Sequence, residues 1–141
     1  MRILGIDYGD SKIGLAVSDP LKLTAQVLDN YRIRGEDEDK NYFKKIVSEY
    51  EIEEIVLGLP LRMDGTSGPR VEKTKSFAQW LKKFLKVPII YWDERLTTRQ
   101  AIGILSRQKI KRKSKKVLED QIAAVIILSS YLESKRGRHL E

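Results

Sequence analysis

Apolar positions along the chain follow two alternating rhythms. From Arg2 to Asp7 they crowd together as in a buried strand that ends in an acid. Tyr8-Gly9-Asp10-Ser11-Lys12 carries turn residues, and Ile13 to Ser18 resumes as a strand, which predicts a hairpin. Leu23, Ala25 and Val27 alternate with Thr24 and Gln26, predicting a third antiparallel strand that extends toward Ile33. The rhythm then becomes helical. Glu36-Asp37-Glu38-Asp39 suits the positive end of a helix dipole, and Tyr42, Phe43, Ile46, Val47 and Tyr50 follow at helical spacing. Ile55-Val56-Leu57 is a short continuous apolar run, as expected of a central parallel strand.

The segment 58–68 is broken by Pro60, Gly65 and Gly68 and reads as a loop. Pro69 opens the next helix, whose inward stripe is Val71, Thr74, Phe77, Ala78, Leu81 and Leu85. Ile89 to Trp92 forms another apolar strand, ending in Asp93-Glu94. Thr97 with Gln100 matches a capping box, predicting a helix to about Ser106. A final helix is expected over about Val117 to Glu133. The order is three strands, helix, strand, helix, strand and two helices. It predicts one α/β domain over residues 1–141, with a mixed five-stranded sheet and helices on both faces. Ligands in such sheets favour the carboxyl ends of the parallel strands.

Acids occupy those ends. Asp7 closes the first strand before a tight turn, where it serves either as a rigid metal ligand or as a turn-forming residue bonded to nearby amides. Asp93 and Glu94 close the last strand. Adjacent strand residues point to opposite faces, so at most one of the two should face a site beside Asp7. Asp120 lies in register with Ala123, Ala124, Ile127 and Tyr131 on the final helix. It extends a sheet-packed stripe where an unpaired charge is costly, although an acid near a helix start is also favoured by the dipole.

Composition narrows the chemistry. The chain has 141 residues, no cysteine and one histidine, His139. Disulfides, thiolate metal sites, Ser-His-Asp and Cys-His hydrolysis and a histidine-pair ribonuclease are therefore excluded. Any hydrolysis must rely on carboxylates, lysines or bound metal. Lys and Arg number 27 against 20 acids, a formal charge of +7, which favours a polyanionic partner such as nucleic acid. No apolar run approaches the ~20 residues of a membrane span. Met1 leads into a strand without the layout of a signal peptide, and a cytoplasmic protein is expected.

The glycine-broken loop, with Thr66, Ser67 and Gly68 before a helix start, is a candidate phosphate cradle or an ordinary strand-to-helix loop. It is not a Walker loop, because the Gly-Lys-Ser/Thr ending is absent. Lys12 is a further candidate phosphate contact. Arg107 to Lys116 is strongly basic and immediately precedes the helix that carries Asp120. Most such runs are solvated linkers. Here Lys111, Arg112 and Lys113 are expected to contact phosphates and order on nucleic acid.

Gly5-Ile6-Asp7-Tyr8-Gly9, Gly58-Leu59-Pro60, Asp93-Glu94-Arg95-Leu96-Thr97 and Asp120 through Ala123-Ala124 resemble, in order and across nearly the whole chain, the motifs of the YqgF/RuvX family, bacterial relatives of Holliday-junction resolvases. The resemblance implies a ribonuclease H-like fold, dependence on Mg²⁺ or Mn²⁺ and a role in maturing the 5′ end of pre-16S ribosomal RNA. Carried over by motif, it implies Asp7, Glu94 and Asp120 as catalytic, metal-holding acids. Branched DNA is the alternative substrate. Two rivals remain: a non-catalytic RNA-binding assembly factor, and an actin-like phosphotransferase, whose first phosphate loop also resembles Gly-Ile-Asp-x-Gly but which needs two such domains. The oligomeric state is not legible in the sequence.

Overall fold

In the computed structural model the backbone is described for residues 1–96 and 115–139, and side chains for 1–96 and 122–135. The strands are β1 (Arg2–Tyr8), β2 (Lys12–Ser18), β3 (Ala25–Arg32), β4 (Ile52–Leu59) and β5 (Ile89–Asp93). The helices are α1 (Glu36–Glu49), α2 (Pro69–Lys82) and α3 (Lys115–His139), and a single 3-10 turn, Glu94–Leu96, follows β5. The helix expected from Thr97 to Ser106 lies outside the described residues.

The five strands form one sheet in the order β3-β2-β1-β4-β5. β1, β2 and β3 pair antiparallel, while β4 pairs parallel with both β1 and β5. The carboxyl ends of β1, β4 and β5 therefore share one edge of the sheet. Alternate residues of each strand feed two separate cores. Leu4, Ile6, Ile13, Leu15, Ile55 and Leu57 pack with Phe43 and Ile46 of α1 and Phe77, Ala78 and Leu81 of α2. Ile3, Ala16 and Val56 pack instead with Ala124, Ile127, Leu128 and Tyr131 of α3. Helices cover both faces, as the order of elements requires.

β3 departs from the expected pattern at its start and at a bulge within it. Leu23 and Thr24 are held outside the ladder because both amides donate to Asp19 Oδ1, at 2.7 and 2.8 Å. A register shift between Leu15 and Ala16 then inserts an extra residue in β3. Ala25 consequently joins the α3 core while Tyr31, of the same parity, joins the α1–α2 core. A bulge of this kind reverses the facing of every later side chain, which simple alternation does not anticipate.

The acidic start of α1 also has a buried component. Asp39 Oδ1 accepts from the Tyr31 hydroxyl at 2.6 Å and from the Arg34 amide at 3.0 Å. Those bonds explain how a carboxylate is tolerated inside the fold. α3 exceeds the expected helix at both ends, and β4 extends beyond the apolar run Ile55–Leu57.

Candidate active site

Asp7 is two residues beyond Gly5, so both lie on the α3 face of β1. Gly5 is where α3 comes closest: a Cβ there would sit 2.7 Å from Leu128 Cβ and 3.2 Å from the Ala124 carbonyl oxygen. Farther back along the sheet, Glu54 bonds the Tyr131 hydroxyl and Lys135. Helix numbers thus fall as the strands advance, and α3 runs antiparallel to β1. A helix rises about 1.5 Å per residue and a strand about 3.3 Å. Position 120 of the α3 backbone, one turn before Ala124, therefore lies toward the level of Asp7. The Asp120 side chain is outside the described set, as are Lys111, Arg112 and Lys113.

Glu94 reaches the same edge from the turn after β5. β1 and β5 flank β4, so their backbones are separated by two inter-strand spacings, about 10 Å. The carboxylates meet above the intervening strand at Gly58, which pairs with Trp92 of β5. A Cβ at Gly58 would lie 3.1 Å from Glu94 Oε1 and 2.4 Å from Ile127 Cδ1. A Cβ here would displace the end of the Ile127 side chain and crowd the Glu94 carboxyl, so glycine leaves room for both.

Glu94 is hydrogen-bonded to Asp7. Burial, then the neighbouring Asp7 charge and this bond, push the Glu94 carboxyl up to about 7, with the positive charge of Arg70 opposing the shift. Asp93 has a different partner. Its carboxylate receives the Arg95 amide at 2.9 Å and Arg95 Nη2 at 2.7 Å, and this pairing holds it below the ordinary carboxylate range. Of the two adjacent acids, the fold turns Glu94 toward Asp7 and gives Asp93 to Arg95.

A depression of about 200 Å³ beside the carboxylates is lined by Asp7, Gly9, Asp10, Ser11, Lys12 and Arg70. Lys12 is thus placed with Asp7. Arg70 joins it from the first turn of α2, immediately after Pro69, a position the sequence reading did not single out. Its only signal there is a cation just inside a helix that follows the glycine-rich loop. Thr66 and its neighbours do not line this depression. The Thr66 amide and hydroxyl both donate to Asp64 Oδ1, at 2.9 and 2.7 Å, and Arg95 Nη1 donates to the Met63 carbonyl at 3.3 Å. The loop is braced by Asp64 from within and by Arg95 from the turn after β5.

Among the described residues no group of three metal-ligating side chains occurs. The pair itself is suited to a hard divalent cation. Both donors are carboxylate oxygens, and burying two like charges together carries a penalty that a cation between them would relieve.

Comparisons with known proteins identify the family and the fold. The model of the RuvX family, described as Holliday junction resolvase, matches residues 1–134. A protein of Halothermothrix orenii named "Putative pre-16S rRNA nuclease" is 44% identical over 139 residues, covering 99% of each chain. One of the same name from Acetivibrio thermocellus is 47% identical, covering 96% of this chain and 97% of its own. Among solved structures, Thermus thermophilus RuvC in complex with a Holliday junction substrate superposes with a TM-score of 0.64 at 15% identity, covering 97% of this chain and 96% of its own. The fowlpox virus resolvase with Holliday junction DNA does so with a TM-score of 0.59 at 15% identity, covering 96% and 99%. At that identity the likeness concerns the fold, which is ribonuclease H-like. The match over nearly the whole sequence establishes descent: this chain belongs to the RuvX family.

Proposed function

We propose that this protein is a metal-dependent nuclease that hydrolyses phosphodiester bonds in structured RNA, processing the 5′ end of pre-16S ribosomal RNA in the cytoplasm. The observation that carries this reading is the Asp7–Glu94 pair gathered over Gly58, with Lys12 and Arg70 beside it. Full-length relatives named for that substrate give it its RNA target.

Asp7, Glu94 and Asp120 form the acid cluster. When bound, Mg²⁺ or Mn²⁺ supplies Lewis-acid activation of the attacking water and charge stabilisation at the leaving oxygen. Glu94 would hold the metal as its carboxylate, so metal binding near neutral pH would be coupled to loss of the proton that its raised pKa retains. Asp7 is fixed by the sheet on one side and by the tight turn at Gly9 on the other, which keeps its carboxylate in place. Arg70 and Lys12 offset the charge of the scissile phosphate and hold it against the acids. The basic residues Lys111, Arg112 and Lys113 contact phosphates farther along the substrate.

Branched DNA is the second reading, favoured by the description of the family model. Incubating the purified protein with precursor rRNA and with a synthetic four-way junction, in Mg²⁺ or Mn²⁺, separates the two. Trimming of the precursor at its 5′ end is expected. Cleavage confined to the junction would transfer the assignment to branched DNA, and cleavage of neither would favour a non-catalytic assembly factor.

A further inference from the structure

Tyr8 follows Asp7 directly and therefore faces the opposite side of the sheet. There it helps to line a cavity of about 470 Å³ between α1 and α2. That volume lies within the ~300–1,000 Å³ of small-molecule sites. Its walls are aromatic: Tyr8, Phe43, Phe77 and Trp80. Tyr8 stacks on Phe77 with centroids 4.4 Å apart, and Phe77 on Trp80 at 5.8 Å.

Two observations indicate what enters. First, the cavity adjoins the acid site. A small crevice lined by Tyr8, Gly9, Asp10, Arg70 and Lys73 lies between the two, sharing Tyr8 and Lys73 with the aromatic cavity and Gly9, Asp10 and Arg70 with the depression at Asp7. Second, the charges are separated along this path. Lys12 and Arg70 stand beside Asp7, whereas Glu36, Asp39 and Glu72 stand around the aromatic cavity. Lys73, on the boundary, is paired with Asp10 at 3.2 Å. Lys12 and Arg70 balance Asp7 and Asp10 in the first region, so with a divalent cation on its acids that region takes a phosphate, whereas the second, with three acids to one lysine, repels it. A planar, uncharged group with polar edges suits the second, where aromatic faces offer stacking and carboxylates accept from amino groups.

We propose that this cavity receives an unpaired nucleobase of the substrate strand, extruded beside the phosphate held at Asp7. The inference rests on the nucleic-acid reading above and adds to it a recognition element for unpaired rather than continuous duplex substrate. Stacking on aromatic side chains is sequence-tolerant and is worth about 1–3 kcal/mol per base. It therefore contributes affinity for single-stranded segments without dictating sequence.

The test compares binding of a short single-stranded oligoadenylate with that of an abasic strand of equal length, at fixed salt, with Ca²⁺ in place of Mg²⁺. The phosphates are the same and only the bases differ. The full chain should bind the base-bearing strand on the order of tenfold or more tightly. Ser76→Phe places bulk at the exposed rim of the cavity without removing core contacts, and should bring the two affinities together. Trp80→Leu should narrow the difference in the same direction. Equal binding of the two strands by the unmodified protein would overturn the proposal. So would a preference left intact in Ser76→Phe, the result expected if the cavity accepts an apolar side chain of a protein instead. Binding is read without cleavage, so the two readings fail separately. A protein that cuts precursor rRNA but ignores the missing bases lacks only the base pocket. One that prefers bases yet cuts nothing lacks only the nuclease activity.

Discussion

Arg95 takes Asp93 through its backbone amide and its guanidinium, and Glu94 is left to turn toward Asp7. The proposed roles predict unequal mutants. Losing a group that merely supports a metal ligand costs roughly 10–100-fold, so losing a ligand should cost about 100-fold or more. Glu94→Gln should therefore reduce cleavage beyond about 100-fold, while Asp93→Asn should cost less than roughly tenfold. Steady-state cleavage assays on both variants check this, and the reverse ranking would place the site on the other acid. The raised Glu94 carboxyl makes a second prediction for metal-free protein. Its folded value of about 7 exceeds the ordinary 4.5, so the folded state holds the proton more tightly. The stability this contributes is complete below about pH 4.5 and is lost as pH rises through about 7. Thermal melting in EDTA should show a falling midpoint across that window, flattened in Glu94→Gln. Identical profiles for the two proteins would remove Glu94 as the responsible group.

Elements were legible in the sequence to the extent that their patterning was local. The stripe Val71, Thr74, Phe77, Ala78 and Leu81 marks one face of α2, and all five residues are buried. Asp7 and Glu94 were legible as strand-end acids because the parallel strands aim them at one edge. Arg70 was not, since its placement depends on where α2 meets that edge, and no local pattern encodes it. Nor was the facing of Tyr31, which follows from a register shift between two strands. The segment from Arg107 to Lys116 is the element whose role rests on charge alone. If Lys111, Arg112 and Lys113 bind phosphates, replacing all three with Ala should weaken binding of every sequence alike. It should also flatten the slope of log affinity against log salt by roughly 0.7–0.9 for each phosphate no longer neutralised. Fluorescence anisotropy over a salt series measures the slope, and an unchanged value would mark the segment as solvated.

At the scale of the whole molecule, the sheet performs two separable tasks because its faces are covered by different helices. The α3 face carries the acids at the carboxyl ends of β1 and β5, and the α1–α2 face carries the aromatic cavity one residue away on β1. The +7 formal charge favours a polyanion at the surface, and in the proposed function a cation on the half-buried acids is what lets a phosphate approach them. No helix among the described residues is long and apolar enough to cross a membrane. No other described side chain replaces Asp7 at the end of β1. The direct measurement is cleavage of precursor 16S rRNA by the unmodified chain and by Asp7→Asn, in Mg²⁺, with circular dichroism and melting run on both. Asn keeps the shape and removes the charge, so the variant should fold normally and lose cleavage by about 100-fold or more. Full cleavage by Asp7→Asn with unchanged metal dependence would contradict the carboxylate-held metal site.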